Sequence, residues 1–329
     1  MKITMLQDKK GFDIMKLNRT NKLSSPRKSL GGLNRKQTLQ CYIVLAFPIL
    51  GLLVFTLYPM GWAAQKAWFY YTGAPSETRF VGWSNFIKIF TQDSTYWQVW
   101  LNTIKFALYK LPMEIPVALI LALLLQRKIA GKGLFRAIYF MPTVVSVAII
   151  GIIFSNIFDY FGLFNALLIK VGIIDAPIEW FANKNTAMFV LALGSAWCTF
   201  GTNVLYFIAA FSNVPNELYE AASIDGATKL QQFFHISLPM ISPVMSTILL
   251  LAINGTLHTN EYVLVTTGGA PGGSTYTVMS YLAGKFLPGF AEQSVNIGYG
   301  CALSIVTSVI MCLIAIGYSK LSNRLKNVY

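Results

Sequence analysis

The sequence predicts an all-α integral membrane protein with six transmembrane helices and both termini in the cytoplasm, and three observations carry that prediction. Apolar residues make up 55% of the 329 and charged residues only 12%, with a mean hydropathy of +0.54, too apolar and too charge-poor for a soluble domain. Six apolar runs of spanning length lie at roughly 40–63, 99–125, 137–158, 186–211, 240–260 and 294–318, and in lipid each satisfies its backbone only as a helix. Lys and Arg are unevenly placed. Eighteen fall in the N-terminal tail, the 126–136 loop (Arg127, Lys128, Lys132, Arg136), the 212–239 loop (Lys229) and the C-terminus, against six in the alternate loops. The richer side is the cytoplasmic one.

Taken in order, residues 1–38 form a basic tail, with Lys2, Lys9, Lys10, Arg19 and Arg27 among its cations and only Asp8 and Asp13 against them. Such a tail stays in the cytoplasm, where it can touch anionic lipid. The apolar run after it is too long for a signal-peptide core and is followed by no small-x-small cleavage pattern. Residues 39–329 are then one transmembrane domain. The net charge of +13 is gathered in this tail and in short loops rather than on a folded basic face, which argues against nucleic acid as a partner. Cys41, Cys198, Cys301 and Cys312 all sit inside apolar runs without C-x-x-C spacing, so neither a disulfide framework nor a metal site is expected.

The second run holds Lys105, Lys110 and Glu114. Lys110 and Glu114 have the i,i+4 spacing of a helix pair, and Pro112 and Pro116 imply a kink. Ionisable residues at membrane depth are also functional candidates, and the sequence leaves pairing and pathway both open for Glu114. The fourth run carries Thr199, Thr202, Asn203 and Tyr206, and the fifth Asn254, Thr256, His258, Thr259 and Asn260 near its outer end. Such groups glue helices together, yet as a set they also resemble a sugar-binding lining of neutral hydrogen-bonding side chains and a stacking aromatic. Glu114, Asn203, Tyr206, Asn254, His258 and Asn260 are therefore the candidate substrate pathway, with His258 as a proton relay in a minority reading.

Several chemistries are missing. There is no phosphate loop, no H-E-x-x-H and no G-x-S-x-G, so the chain cannot hydrolyse ATP by itself. Gly268 to Gly273 reads as an outer turn. An enzyme would need a convergent set, but His235 and His258, the only histidines, fall on opposite predicted sides. An ion-coupled secondary transporter would show inverted repeats, and none is visible.

The polar stretch from Glu220 to Pro239 reads as two short helices joined at a glycine. Pro215 suits the start of the first, Gly226 a left-handed end, Thr228 with Gln231 a capping box for the second, and Pro239 its close. Glu-Ala-Ala, three residues, Gly, nine residues, Ile-x-Leu-Pro is matched at Glu220, Ala221, Ala222, Gly226, Ile236, Leu238 and Pro239. This resembles the cytoplasmic EAA loop of permease subunits of binding-protein-dependent ABC importers.

Gly82-Trp83-Ser84-Asn85-Phe86, Gly133-Leu134-Phe135-Arg136 leading to Met141-Pro142, and Thr267-Gly268-Gly269-Ala270-Pro271 with Ser274-Thr275 are similar to the carbohydrate-uptake branch, the type of the larger membrane subunit of maltose importers. Departures fall on the substrate side: Leu257 to Tyr262 replaces a common Phe-Asp pattern, Ala270 is extra, and Phe154 stands where Trp is common. The resemblance implies a type I ABC importer permease fold in the cytoplasmic membrane of a bacterium or archaeon. It further implies a second permease subunit, two ABC ATPase subunits that hold the ATP and Mg, and an external solute-binding protein. No cofactor is expected in this chain. Glu220, Ala221, Ala222, Asp225, Gly226, Leu238 and Pro239 would form the ATPase-coupling loop within 212–240. The cargo implied is a sugar, oligosaccharide or polyol, with a glycerol phosphodiester or polyamine as the alternative.

Overall fold

The computed structural model describes residues 35–126, 131–286 and 295–326. Most of the basic tail, together with Arg127 and Lys128, lies outside the described residues. The chain forms two compact units, 1–60 and 61–329. The first holds α1 (Arg35–Leu52), a π turn (Leu53–Leu57) and the start of α2 (Tyr58–Lys66), and its apolar side chains from Leu39 to Leu50 are exposed, as a lipid-facing helix requires.

In the second unit a short antiparallel ribbon follows α2: β1 (Phe69–Tyr70) pairs with β2 (Arg79–Phe80), Phe69 opposite Phe80. Next come α3 (Ser84–Thr91), the long α4 (Ser94–Gln126), α5 (Lys132–Val144), α6 (Val147–Ile157) and α7 (Leu163–Lys170). The remainder is α8 (Lys184–Ser212), α9 (Asn216–Ile224), α10 (Lys229–Gln232), a second π turn (Phe233–Ser237), α11 (Leu238–Leu257), α12 (Glu261–Thr266), α13 (Val278–Gly284) and α14 (Ile297–Lys326). Among the described residues, five helical stretches are long and apolar enough to cross a membrane, or six if one bent pair counts as a span.

That bent pair corrects the sequence reading of 137–158 as one helix. Gly133–Val144 and Val147–Ile157 meet at 95°. Pro142 removes a helical donor, and the β-branched run Thr143-Val144-Val145 favours extended backbone, which Val145 adopts with φ −75° and ψ 142°. A second correction concerns Pro239. It does not close a helix; one helical stretch runs from Lys229 to Leu257. The π turn before it widens the ladder, with the Leu238 N–H donating to the Phe233 carbonyl, and this relieves the clash a proline ring makes with the preceding turn. The same device, Leu53–Leu57, precedes Pro59.

α4 threads all three buried clusters. At one end Val99 and Trp100 pack with Val278, Leu282, Ala302 and Leu303; in the middle Phe106 joins Ile150, Met188, Leu191 and Tyr262; at the other end Ala118 and Ala122 meet Val204, Phe207, Ile241 and Ile248. Small residues set the spacing. A Cβ on Gly201 of α8 would strike the Tyr139 carbonyl of α5 and lie 3.2 Å from Thr143 Oγ1. Polar knots fix the rest. Asp93 accepts from the Tyr96 N–H (2.9 Å) and from the hydroxyls of Tyr281 (3.0 Å) and Tyr299 (2.6 Å), tying α4 to α13 and α14. Asp93 is thus engaged inside the fold.

Gly201→Ala should therefore destabilise the purified subunit by about 1–3 kcal/mol through helix separation. Gly317→Ala, where nothing lies within 4 Å of the added carbon, should leave the melting temperature unchanged or slightly raised. Equal melting of the two variants would contradict this packing.

Candidate functional site

The chain presents two polar constructions, a hinged loop and a cavity. In the loop, Pro215 stands at the N-cap of α9 with φ −61° and ψ 132°, one place before the first turn. Asp225 is the C-cap, and Gly226 adopts φ +78°. The Gly226 N–H donates to the Ser223 carbonyl (3.2 Å) and the Ala227 N–H to the Ala222 carbonyl (2.9 Å), the paired bonds of a Schellman ending. Thr228 and Gln231 form the expected capping box at the start of α10.

The two halves are bolted by a residue that the spacing argument passes over. Gln232, 3% exposed, donates from Nε2 to Ser223 Oγ at 2.8 Å, with the Tyr219 and Ala227 carbonyls at 3.4 Å, and accepts from Lys229 Nζ at 3.1 Å. Tyr219 and Ser237 share a hydroxyl bond of 2.8 Å. Glu220, Ala221, Asp225, Gly226 and Pro239 are exposed, Ala222 and Leu238 half-buried. Ile224 (86% exposed) and Leu230 (68%) extend this surface with apolar side chains.

The cavity, of about 420 Å³, lies among α4, α8, α11 and the start of α12. Its α8 wall is a helical stripe of Ser195, Cys198, Thr199, Thr202, Asn203 and Tyr206; α11 contributes Leu251, Ala252 and Gly255; Val147 of α6 and His258 to Tyr262 add to it. Lys110 and Glu114 line it from α4 as the expected ion pair, Nζ to Oε2 3.5 Å, with side chains 3% and 1% exposed. Glu114 Oε1 accepts from Thr199 Oγ1 (2.7 Å) and Asn203 Nδ2 (2.6 Å), and Lys110 Nζ donates to Thr256 Oγ1 at 3.2 Å. Lys105 takes no part; it donates to Asn185 Oδ1 at 2.6 Å.

The structure thus gathers Glu114, Asn203, Tyr206, His258 and Asn260 around one space. Asn254 is the exception. It is not among the lining residues, and its carbonyl lies 2.8 Å from His258 Nδ1. Sequence reasoning missed Ser195, whose place four residues before Thr199 was the available signal. Among the described residues no cluster of His, Cys, Asp and Glu could hold a metal ion.

Residues 114–327 match the family described as binding-protein-dependent transport system inner membrane component. The chain belongs to that family. The arabinooligosaccharides transport system permease protein of Bacillus subtilis (strain 168) is 35% identical over 290 residues, 87% of this chain and 89% of the relative. The lactose transport system permease protein of Rhizobium radiobacter is 32% identical over 80% of this chain and 89% of the relative. The trehalose/maltose transport system permease protein of Thermococcus litoralis is 31% identical over 74% and 80%. Among solved structures, one chain of a bacterial ABC transporter involved in the import of the acidic polysaccharide alginate superposes with a TM-score of 0.76 at 21% identity, over 88% of this chain and 96% of that one. The protein is accordingly a multi-pass inner-membrane permease subunit with the ABC importer permease fold, and it is not itself a catalyst.

Because Gln232 joins α10 to α9 through Ser223 and Tyr219, Gln232→Leu should raise amide exchange across 216–228 by about tenfold, each lost buried bond releasing roughly 1 kcal/mol. Unchanged exchange there would mean that the loop is held by other contacts.

Proposed function

We propose that this permease carries a neutral sugar, oligosaccharide or related polyol inward by alternating access, driven by ATP bound with Mg on two partner ATPase subunits. A second permease subunit completes the passage, and an external solute-binding protein delivers the cargo. The observation that carries the reading is the cavity wall: hydroxyl, amide and aromatic groups at span depth, with Lys110 and Glu114 set against each other and Glu261 as a second carboxylate at the start of α12. The sugar-transport names of its relatives support it.

The loop from Glu220 to Pro239 is the contact through which the ATPases act. Its support is physical. α9 buries none of its own residues, Ala221 and Gly226 leave little between backbone and partner, and Ile224 and Leu230 offer apolar area that a docking cleft would remove from water. Glu220 is placed to pair with a basic group there. The Schellman turn makes the loop a stiff lever, so a push on α9 passes into the stretch beginning at Lys229 and on to α11 beside the cavity. On this reading both termini are cytoplasmic, and the basic tail rests against anionic lipid.

The assembled importer in proteoliposomes should take up at least one of arabinotriose, lactose and maltose when ATP is enclosed with the ATPases. Gly226→Val should leave ATP hydrolysis running while cutting uptake by about tenfold. No atom lies within 4 Å of an added Cβ, so the strain is purely conformational, roughly 1–2 kcal/mol for an L residue at φ +78°. Normal sugar-stimulated uptake in that variant would refute the coupling role, and no uptake of any sugar by the wild type would refute the cargo.

A further inference from the structure

A second cleft, of about 860 Å³, opens where four elements meet at their ends: the last residue of α4 (Gln126), the start of α5 with Arg136, the last residue of α8 (Ser212) and the loop formed by α9 and α10. Its charge is one-sided. Arg136 and Lys229 line it, no Asp or Glu does, and both cations are exposed. Lys229 spends one of its three donors on Gln232 Oε1 at 3.1 Å. Among the described residues the one ion pair is Lys110 with Glu114, so neither Arg136 nor Lys229 is neutralised by a carboxylate. Two cations around one space, without a counter-charge, select for an anion.

The rest of the wall decides which anion. Leu123 of α4, Ile208 and Phe211 of α8, and Phe233 and Phe234 of the second π turn give the cleft a broad apolar side, with Phe234 53% exposed. A soluble phosphate would leave that side in water, and an acidic peptide would set charge against it. The apolar side belongs to helical stretches that are long enough to cross the bilayer, Ser94–Gln126, Lys184–Ser212 and Lys229–Leu257. An anionic phospholipid satisfies both halves, its phosphate at the cations and its acyl chains along the apolar side chains, as basic pockets between spanning helices on the cytoplasmic side do. Glu220, Ala221 and Ile224 of α9 do not line the cleft, so a lipid held there leaves the ATPase-facing side of the loop open. We propose that this cleft binds one anionic phospholipid of the inner leaflet, its phosphate bridging Arg136 of α5 and Lys229 of α10 and so fastening the coupling loop to the spanning helices. The inference rests on the loop lying at the cytoplasmic face. It adds a partner to that loop, the membrane itself, on the side away from the ATPases. Binding is non-covalent throughout.

The test is native mass spectrometry of the assembled importer, without cargo or ATP, titrated with dioleoylphosphatidylglycerol against dioleoylphosphatidylcholine. The wild type should hold phosphatidylglycerol about tenfold or more tightly than phosphatidylcholine. Arg136→Gln together with Lys229→Gln should remove about tenfold of that preference, the effect of two cationic headgroup contacts. Arg136→Lys with Lys229→Arg keeps both charges and should restore it, and Lys320→Gln, which does not line the cleft, should leave it intact. Equal retention of the two lipids by the wild type overturns the proposal, as does a preference that survives the double substitution. Where the double variant fails to assemble, Arg136→Gln alone carries the same comparison with about a fivefold loss. Inorganic phosphate bound as tightly as phosphatidylglycerol would make the cleft a site for the free anion and overturn the lipid assignment. The readout needs neither sugar nor ATP, so a failed cargo or coupling reading leaves it standing. Tryptic cleavage at Lys229 from outside right-side-out vesicles would instead refute the cytoplasmic placement on which the inner-leaflet assignment rests.

Discussion

The arrangement of the core depends on one buried interaction, the ion pair between Lys110 and Glu114. Burying two charges at membrane depth is unfavourable unless each finds a partner, and breaking such a pair from one side typically costs about 3–5 kcal/mol. Here the pair is distributed over three helices: Glu114 is held from α8 by Thr199 and Asn203, Lys110 from α11 by Thr256. That sharing fixes how α8 and α11 face each other across α4. It also explains why a space of about 420 Å³ persists between elements that otherwise pack through alanine, valine and phenylalanine. Polar groups that must reach a common centre hold their backbones apart, and a cavity with a polar wall is the result.

The loop solves the opposite problem. It must stay ordered without a buried face of its own. Local bonds do this work: the left-handed Gly226 with its Schellman bonds, the Thr228 and Gln231 box, and the Gln232 bolt leave the outer surface of α9 exposed. The second π turn then carries the chain past Pro239 into the spanning part of α11, which reaches the cavity at Leu251 and Ala252. Loop and cavity are thus two ends of one helical stretch.

Much of this was legible in the sequence because the physics is local or periodic. Hydropathy located the runs, i,i+4 spacing gave the Lys110 and Glu114 pair, and the positions of Gly226, Thr228 and Gln231 gave the loop's turn and cap. The failures have equally specific causes. Pro239 looked like a stop, but a proline after a widened turn does not end a helix. The bend at Val145 came from three successive β-branched residues acting with Pro142, a weak signal inside an apolar run. Asn254 was grouped with its neighbours by polarity; it shares a helical face with Leu251 and His258 but is not itself among the residues that line the cavity. Gln232 was invisible because its importance lies in contacts with Tyr219, Ser223 and Ala227 across the hinge, which no pattern along the chain announces.

The central claim is that cargo passes through the space beside Glu114. A cryo-EM structure of the whole importer in lipid nanodiscs, trapped with the sugar it transports, tests this most directly. The account predicts ordered sugar density among α4, α8, α11 and the start of α12. Sugar ordered elsewhere in the permease pair, with this cavity closed by its own side chains, would contradict it.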